Sequence, residues 1–317
     1  MNKILFGDCR ETLKNIDVKA RMCVTSPPYY GLRNYGNEDK QIGMEQTPEE
    51  YIEQLVDVFR SVRDVLTDDG TLWLNIGDTY YNYRSDGNYP KQTVSRTKQD
   101  LPDFSPVRGN KLHNLKSKDL IGIPWMLAFA LRADGWWLRQ DIIWNKPNPM
   151  PESVKDRCTK SHEYIFLLSK SKQYFYDNEA IKEPVKQDWG TRDRTNGKYH
   201  NPGTGLAPHS GLSKSYPTKN KRSVWSVTVK PYKEAHFATY PPDLIEPCIL
   251  AGSEEGDTIL DPFMGAGTTA AVAKSLNRYY IGCELNEDYG NLIQKRIQDY
   301  HPVQEVSQEP CINILDI

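Results

Sequence analysis

Two short segments of the sequence combine residue types at spacings that can do chemistry. Thr25-Ser26-Pro27-Pro28-Tyr29 closes the apolar run Arg21-Met22-Cys23-Val24. Prolines at the carboxyl edge of a buried strand donate no hydrogen bonds, so the carbonyls around them can be aimed at a ligand. Ser26 adds a hydroxyl and Tyr29 a flat ring. Such a site suits a planar ring bearing an amino group, with acceptors for its N–H bonds and a face to stack on. A proline-stiffened turn is the plainer reading of an isolated Pro-Pro, but Ser before and Tyr after, at a strand end, speak against it. The second segment is Asp261-Pro262-Phe263-Met264-Gly265-Ala266-Gly267-Thr268-Thr269. Gly265 and Gly267 allow a tight turn and close approach to a ligand, and the helix start with the Thr268 and Thr269 hydroxyls offers donors to a carboxylate or phosphate. Glu284 follows Gly265 by 19 residues, where nucleotide-binding sheets place an acid for ribose hydroxyls. The set predicts a nucleoside-containing cofactor. A P-loop is disfavoured because no Gly-Lys-Ser/Thr follows, and a dinucleotide fingerprint because its third glycine is absent.

The elements that must position these segments are legible in the pattern. Lys3 to Asp8 reads as a strand, Arg10 to Ile16 as a short helix and Arg21 to Thr25 as a buried strand. Thr47, Pro48 and two glutamates open a long helix whose apolar residues Leu55, Val58, Phe59, Val62 and Leu66 recur every three to four positions. A strand over Thr71–Ile76, a helix over Ile123–Ala133 and strands over Trp137–Trp144 and His162–Leu168 follow. The last third alternates helix Pro242–Ala251, strand Thr258–Asp261, helix Thr268–Ser275, strand Arg278–Glu284 and a helix from Glu287 to about Tyr300. Strands alternating with helices predict an α/β fold with a largely parallel sheet. The chain has no internal repeat. Residues 84–118 and 182–223 are polar, basic and aperiodic, and read as a mobile loop and as an insertion too poor in apolar residues to build much core.

Composition narrows the class. The chain has 317 residues, 38% hydrophobic and 26% charged, with a formal net charge of −2, which fits one large domain or one domain with an insertion. No apolar run is long enough to span a bilayer, and the N-terminus lacks a signal-peptide pattern. Six scattered cysteines without a Cys-x-x-Cys pair argue against a zinc site or disulfide framework and fit a reducing cytoplasm. The near-neutral total conceals an asymmetry. Residues 182–233 carry 11 Lys+Arg against 3 Asp+Glu, and residues 84–118 carry 8 against 3, so the remainder is acidic. Two basic segments on an acidic body suit a polyanion, because clustered Lys and Arg release counterions from phosphates; solvated basic loops are the alternative.

Taken together and in this order, the two segments resemble the S-adenosylmethionine-dependent DNA amino-methyltransferases, specifically their beta group, in which the catalytic motif precedes the cofactor loop. The resemblance covers nearly the whole chain except residues 84–118 and 182–223. It implies a Rossmann-like methyltransferase fold with a circularly permuted, mostly parallel sheet and a small irregular target-recognition insertion. The catalytic half, 1–181, would carry the basic loop 84–118. The insertion would span 182–233 and the cofactor half 234–317. It implies S-adenosylmethionine as cofactor, double-stranded DNA as partner, no metal and no membrane. A cognate restriction endonuclease and a monomer or homodimer stay open. Phe6-Gly7-Asp8 resembles the strand whose acid meets the adenine. His236, Phe237 and Tyr240, in His236-Phe237-Ala238-Thr239-Tyr240-Pro241, resemble the segment that encloses the methionine part. Trp144-Asn145-Lys146-Pro147 resembles a strand and loop bordering the target base.

An exocyclic amino nitrogen is a poor nucleophile because its lone pair is delocalised into the ring. Ser26 and the Pro27 carbonyl would accept its protons, direct displacement would follow, and the base would have to be flipped from the duplex to stack on Tyr29. Family members with Ser before Pro-Pro usually methylate cytosine N4, and those with Asp or Asn adenine N6, so Ser26 favours cytosine with adenine as runner-up. Attack at cytosine C5 needs a Cys nucleophile, and Cys248 reads as core. An RNA or protein methyltransferase and a catalytically inactive DNA-binding module are the rivals. Arg192, Arg194, Lys219, Lys221 and Arg222 are candidates for phosphate or guanine contacts. Asp78 reads as a cap for the turn after it, His162 and Glu163 as the structural start of a strand, and Trp136-Trp137 as core. Trp225 is left between stacking on a base and anchoring the insertion.

Overall fold

A computed structural model describes residues 2–31, 41–81, 114–185, 217–230 and 239–301. His236, Phe237, Arg192, Arg194 and nearly all of the predicted loop 84–118 fall outside these residues.

The first half runs β1 (Lys3–Phe6), α1 (Cys9–Thr12), β2 (Ala20–Thr25), α2 (Pro48–Val65), β3 (Leu66–Ile76), α3 (Ile123–Ala133), β4 (Trp137–Asn145) and β5 (His162–Ser169). Three short strands follow, β6 (Glu183–Pro184), β7 (Thr218–Lys219) and β8 (Val224–Ser226). The last part runs α4 (Pro242–Gly252), β9 (Thr258–Asp261), α5 (Thr268–Ser275), β10 (Tyr279–Glu284) and α6 (Gly290–Asp299). Eight strands form one sheet in the order β1-β10-β9-β2-β3-β5-β4-β8, and β6 pairs with β7. The neighbouring pairs from β1 to β3, and β4 with β8, are parallel; β5 runs antiparallel to both its neighbours. The α/β fold with a mostly parallel sheet is therefore as expected. Its permutation is visible in the pairings: β2, from the start of the chain, lies against β9, and β1 against β10.

Alternation along the central strands supplies both faces of the sheet. Cys23, Leu72 and Leu74 face a core built with α2 and α3, where Leu55, Phe59, Val62 and Leu127 pack. Met22, Val24 and Trp73 face the other core with Ile249, Val272 and Ile293 from α4, α5 and α6. A strand buried on both sides reads as a continuous apolar run, which is why β2 and β3 were visible in the sequence. The start of α2 is fixed by a reciprocal cap: Glu50 N–H donates to Thr47 Oγ1 at 3.2 Å, and Thr47 N–H to Glu50 Oε2 at 3.2 Å. The strand expected over Thr71–Ile76 is longer than the sequence predicts. Helix α2 ends at Val65 and β3 starts at once at Leu66, running through Asp69-Gly70 to Ile76.

Candidate active site

The cofactor-type loop and the Pro-Pro segment both leave the carboxyl ends of adjacent strands, β9 and β2, where ligands sit in open α/β sheets. A buried hydrogen-bond centre joins them. The Asp261 carboxylate accepts from Thr25 Oγ1 at 2.6 Å, Phe263 N–H at 3.0 Å, Tyr240 OH at 3.0 Å and Thr269 Oγ1 at 2.5 Å. The Tyr240 and Thr269 hydroxyl oxygens also lie against each other. Burial pushes the Asp261 carboxyl up, and its four donors pull it back. Thr269 was expected to offer its hydroxyl to a ligand. It is fully buried and its hydroxyl serves Asp261, because the acid lies inside the fold and needs donors there.

The two loop glycines play different parts. Gly265 has φ +53°, and a Cβ on it would meet only the Phe263 carbonyl oxygen, at 3.9 Å. Gly267 has φ +83°, and a Cβ there would lie 3.0 Å from Ile293 Cγ2 of α6. Gly265 thus leaves open space beside the loop, whereas Gly267 is required by helix packing. Glu284, half-buried at the end of β10, accepts from Gly265 N–H at 2.8 Å and Asn286 N–H at 2.9 Å. Burial raises its carboxyl to about 7. Phe6 pairs with Glu284, so Asp8 leaves the same end of the sheet. Asp8 caps α1 by accepting from Arg10 N–H at 2.9 Å, and its carboxylate also grips the Arg10 guanidinium. The open space at Gly265 and the acid beside it fit a nucleoside carrying a free diol.

In the catalytic segment Ser26, Pro28 and Tyr29 are half-buried and Pro27 is buried. The Pro28 carbonyl accepts from Tyr51 OH at 2.8 Å, tying the segment to α2. Tyr29 reaches across the ends of β3 and β5. Its hydroxyl donates to Glu163 Oε2 at 2.6 Å, and Asn75 Nδ2 donates to the same oxygen at 3.3 Å. Lys146 pairs with Glu163 Oε1 and lies 4.1 Å over the Trp144 ring. Burial first, then the Glu163 charge, raises the phenol well above its ordinary value, so it remains a donor. The sequence pattern marks Glu163 only as the start of a strand and gives Asn75 no signal of its own. Period-two patterning identifies their strands but carries no signal of a partner 134 residues away.

Other expectations resolve individually. Asp78 is a cap, with a wider reach than its own turn: besides Thr79 N–H it accepts from Gly122 N–H at 3.0 Å and Ile123 N–H at 3.1 Å, holding the start of α3. Trp136 is buried, but Trp137 is 45% exposed on β4 and is not core. Trp225 is buried in the second core on β8, which pairs with β4, and its ring N–H donates to the Arg222 carbonyl at 2.7 Å. Cys248 is fully buried, as expected of core. Lys219 and Lys221 lie on and beside β7, and Arg222 pairs with Glu183 at 3.0 Å.

The fold places the Pro-Pro segment and the glycine loop side by side at the carboxyl ends of two adjacent parallel strands of one mostly parallel α/β sheet. The sequence profile of the DNA methylase family matches residues 20–295. The type II methyltransferase M.SmaI of Serratia marcescens is 47% identical over 296 residues, covering 93% of this chain and 90% of its own length. M.XycI of Xanthomonas campestris pv. cyanopsidis is 47% identical over 293 residues, covering 92% and 86%. Among solved structures, PvuII DNA methyltransferase (cytosine-N4-specific) superposes with a TM-score of 0.61 at 16% identity, covering 95% of this chain and 88% of that one. The chain belongs to the N6/N4 DNA methylase family, and with the family comes S-adenosylmethionine as methyl donor.

Proposed function

We propose that the chain methylates the exocyclic N4 of cytosine in duplex DNA. The observation that carries this reading is Ser26, the residue before Pro27-Pro28-Tyr29 at the end of β2. A serine hydroxyl accepts one amino proton while the neighbouring carbonyl of Pro27 accepts another, which directs the nitrogen lone pair out of the ring. When bound, S-adenosylmethionine supplies an electrophilic methyl group. Glu284, Gly265, Phe263 and Asp8 are the residues that would hold it, Glu284 through the ribose hydroxyls. Asp261, Tyr240 and Thr269 support that loop from inside the fold. Tyr29 offers the face on which a flipped base stacks. Residues 182–233 are the target-recognition insertion, with Lys219, Lys221 and Arg222 meeting phosphates or guanines.

The test is to incubate the protein with S-adenosylmethionine and mixed-sequence duplex DNA, digest to nucleosides and identify the methylated base by mass spectrometry. N4-methylcytosine is expected. N6-methyladenine would keep the mechanism and overturn the choice of base.

A further inference from the structure

We propose that Glu163 is a positioning residue for the reaction: with Lys146 and Asn75 it clamps the hydroxyl of Tyr29, and Gly77 walls the ring, so that the stacking face is set before the base arrives. The inference rests on the reading that Tyr29 faces the target base. Three observations carry it. The Glu163 side chain is 14% exposed and that of its partner Lys146 is 19% exposed, so the charge is held away from water. One carboxylate oxygen takes Lys146, and the other takes both Tyr29 OH and Asn75 Nδ2. Asn75 is fixed in turn by donating to the Tyr164 carbonyl at 3.1 Å. Finally, a Cβ on Gly77 would lie 2.7 Å from Tyr29 Cε2 and 3.4 Å from Glu163 Cδ. No side chain larger than hydrogen fits there while Tyr29 keeps its place.

A phenol ring free to turn about its side-chain torsions must be ordered when the base stacks on it, and that ordering opposes binding and transfer. A ring pinned at its hydroxyl and along one edge has already lost that freedom. Four strands converge on it: the segment after β2 carries the ring, β3 carries Asn75 with Gly77 just past its end, β5 carries Glu163, and Lys146 follows directly on β4. The clamp therefore also locks the catalytic loop to the antiparallel part of the sheet.

The experiment compares kcat, KM for DNA and the calorimetric Kd for S-adenosylmethionine in Glu163→Ala, Glu163→Gln, Tyr29→Phe, Gly77→Ala and the Glu163→Ala/Tyr29→Phe double variant. A mispositioned group near the chemistry lowers rate by on the order of 10²-fold, and that loss is expected in kcat for Glu163→Ala with the cofactor Kd unchanged. Glu163→Gln, which keeps an acceptor, should restore most of it. The double variant should be no slower than the worse single one, because both remove the same contact. Gly77→Ala should reproduce the loss without touching any hydrogen-bonding group. Independent, multiplying losses in the double variant, a Glu163→Ala kcat within twofold of wild type, or equal losses for Ala and Gln would each overturn the clamp. A wild type that transfers no methyl group to any duplex would instead overturn the reading of the site beneath it.

Discussion

Thr25, near the start of the chain, donates its hydroxyl at 2.6 Å to Asp261, 236 residues later. That bond crosses the seam between the strand that carries the catalytic segment and the strand that carries the cofactor loop. Asp261→Ala would leave three hydroxyls and an amide without their acceptor, and is expected to lower stability on the order of 3 kcal/mol. Thr25→Val removes one donor from the same centre and should cost about 1 kcal/mol. Denaturant titration of both variants checks the ranking, and equal losses would show that Thr25 carries the whole network.

The two loop glycines should separate stability from binding. Gly265→Ala forces a left-handed residue at roughly 1–2 kcal/mol, yet meets little around it, so the protein should fold and bind S-adenosylmethionine poorly. Gly267→Ala carries the same strain and in addition presses on Ile293, so the larger loss of Tm is expected there. Calorimetric titration and thermal melting distinguish the two, and the reverse order would contradict the assignment.

Glu284 makes the stability depend on pH. Its carboxyl titrates at about 7 in the fold against an ordinary 4.5, so between those values the folded protein keeps a proton that the unfolded chain releases. Stability contributed at that site therefore falls as pH rises from about 4.5 to about 7. Cofactor affinity should move the opposite way, because the ionised carboxylate is the better acceptor for a diol. Glu284→Gln should flatten both profiles. A cofactor Kd independent of pH in the wild type would remove Glu284 from the ribose contact.

The insertion offers a salt-dependence test. Replacing Lys219 and Lys221 with Ala should flatten the plot of log Kobs for DNA against log salt by about two, at roughly 0.9 per phosphate contact, without altering cofactor affinity. Arg222→Ala should add less, since its guanidinium is already paired with Glu183. An unchanged slope would show that these lysines do not meet the backbone.

What was legible in the sequence follows the range of the interactions. Helix α3 and helix α5 were readable to the residue, and α2 to its cap, because periodicity, Pro at the first turn and a Thr-x-x-Glu box are all local. The two reactive segments were also local, each within nine residues. Glu163 was missed because its importance comes from Tyr29 and Lys146, brought together only by strand order. Thr269 was misread for the complementary reason. A threonine at a helix start is a donor wherever it points, and here the buried Asp261 claims it. Asp78 reads locally as a cap, but the helix it holds begins 45 residues later.

The pairing of β2 with β9 and of β1 with β10 also sets a timetable for synthesis. At the usual 5–20 residues per second, Thr25 leaves the ribosome roughly ten to fifty seconds before Asp261 can meet it. Throughout that interval β1 has no neighbour and β2 has an open edge, and the apolar surface awaiting α4, α5 and α6 stands bare. The nascent chain must therefore wait, collapsed or chaperoned, until its last third arrives to close the sheet.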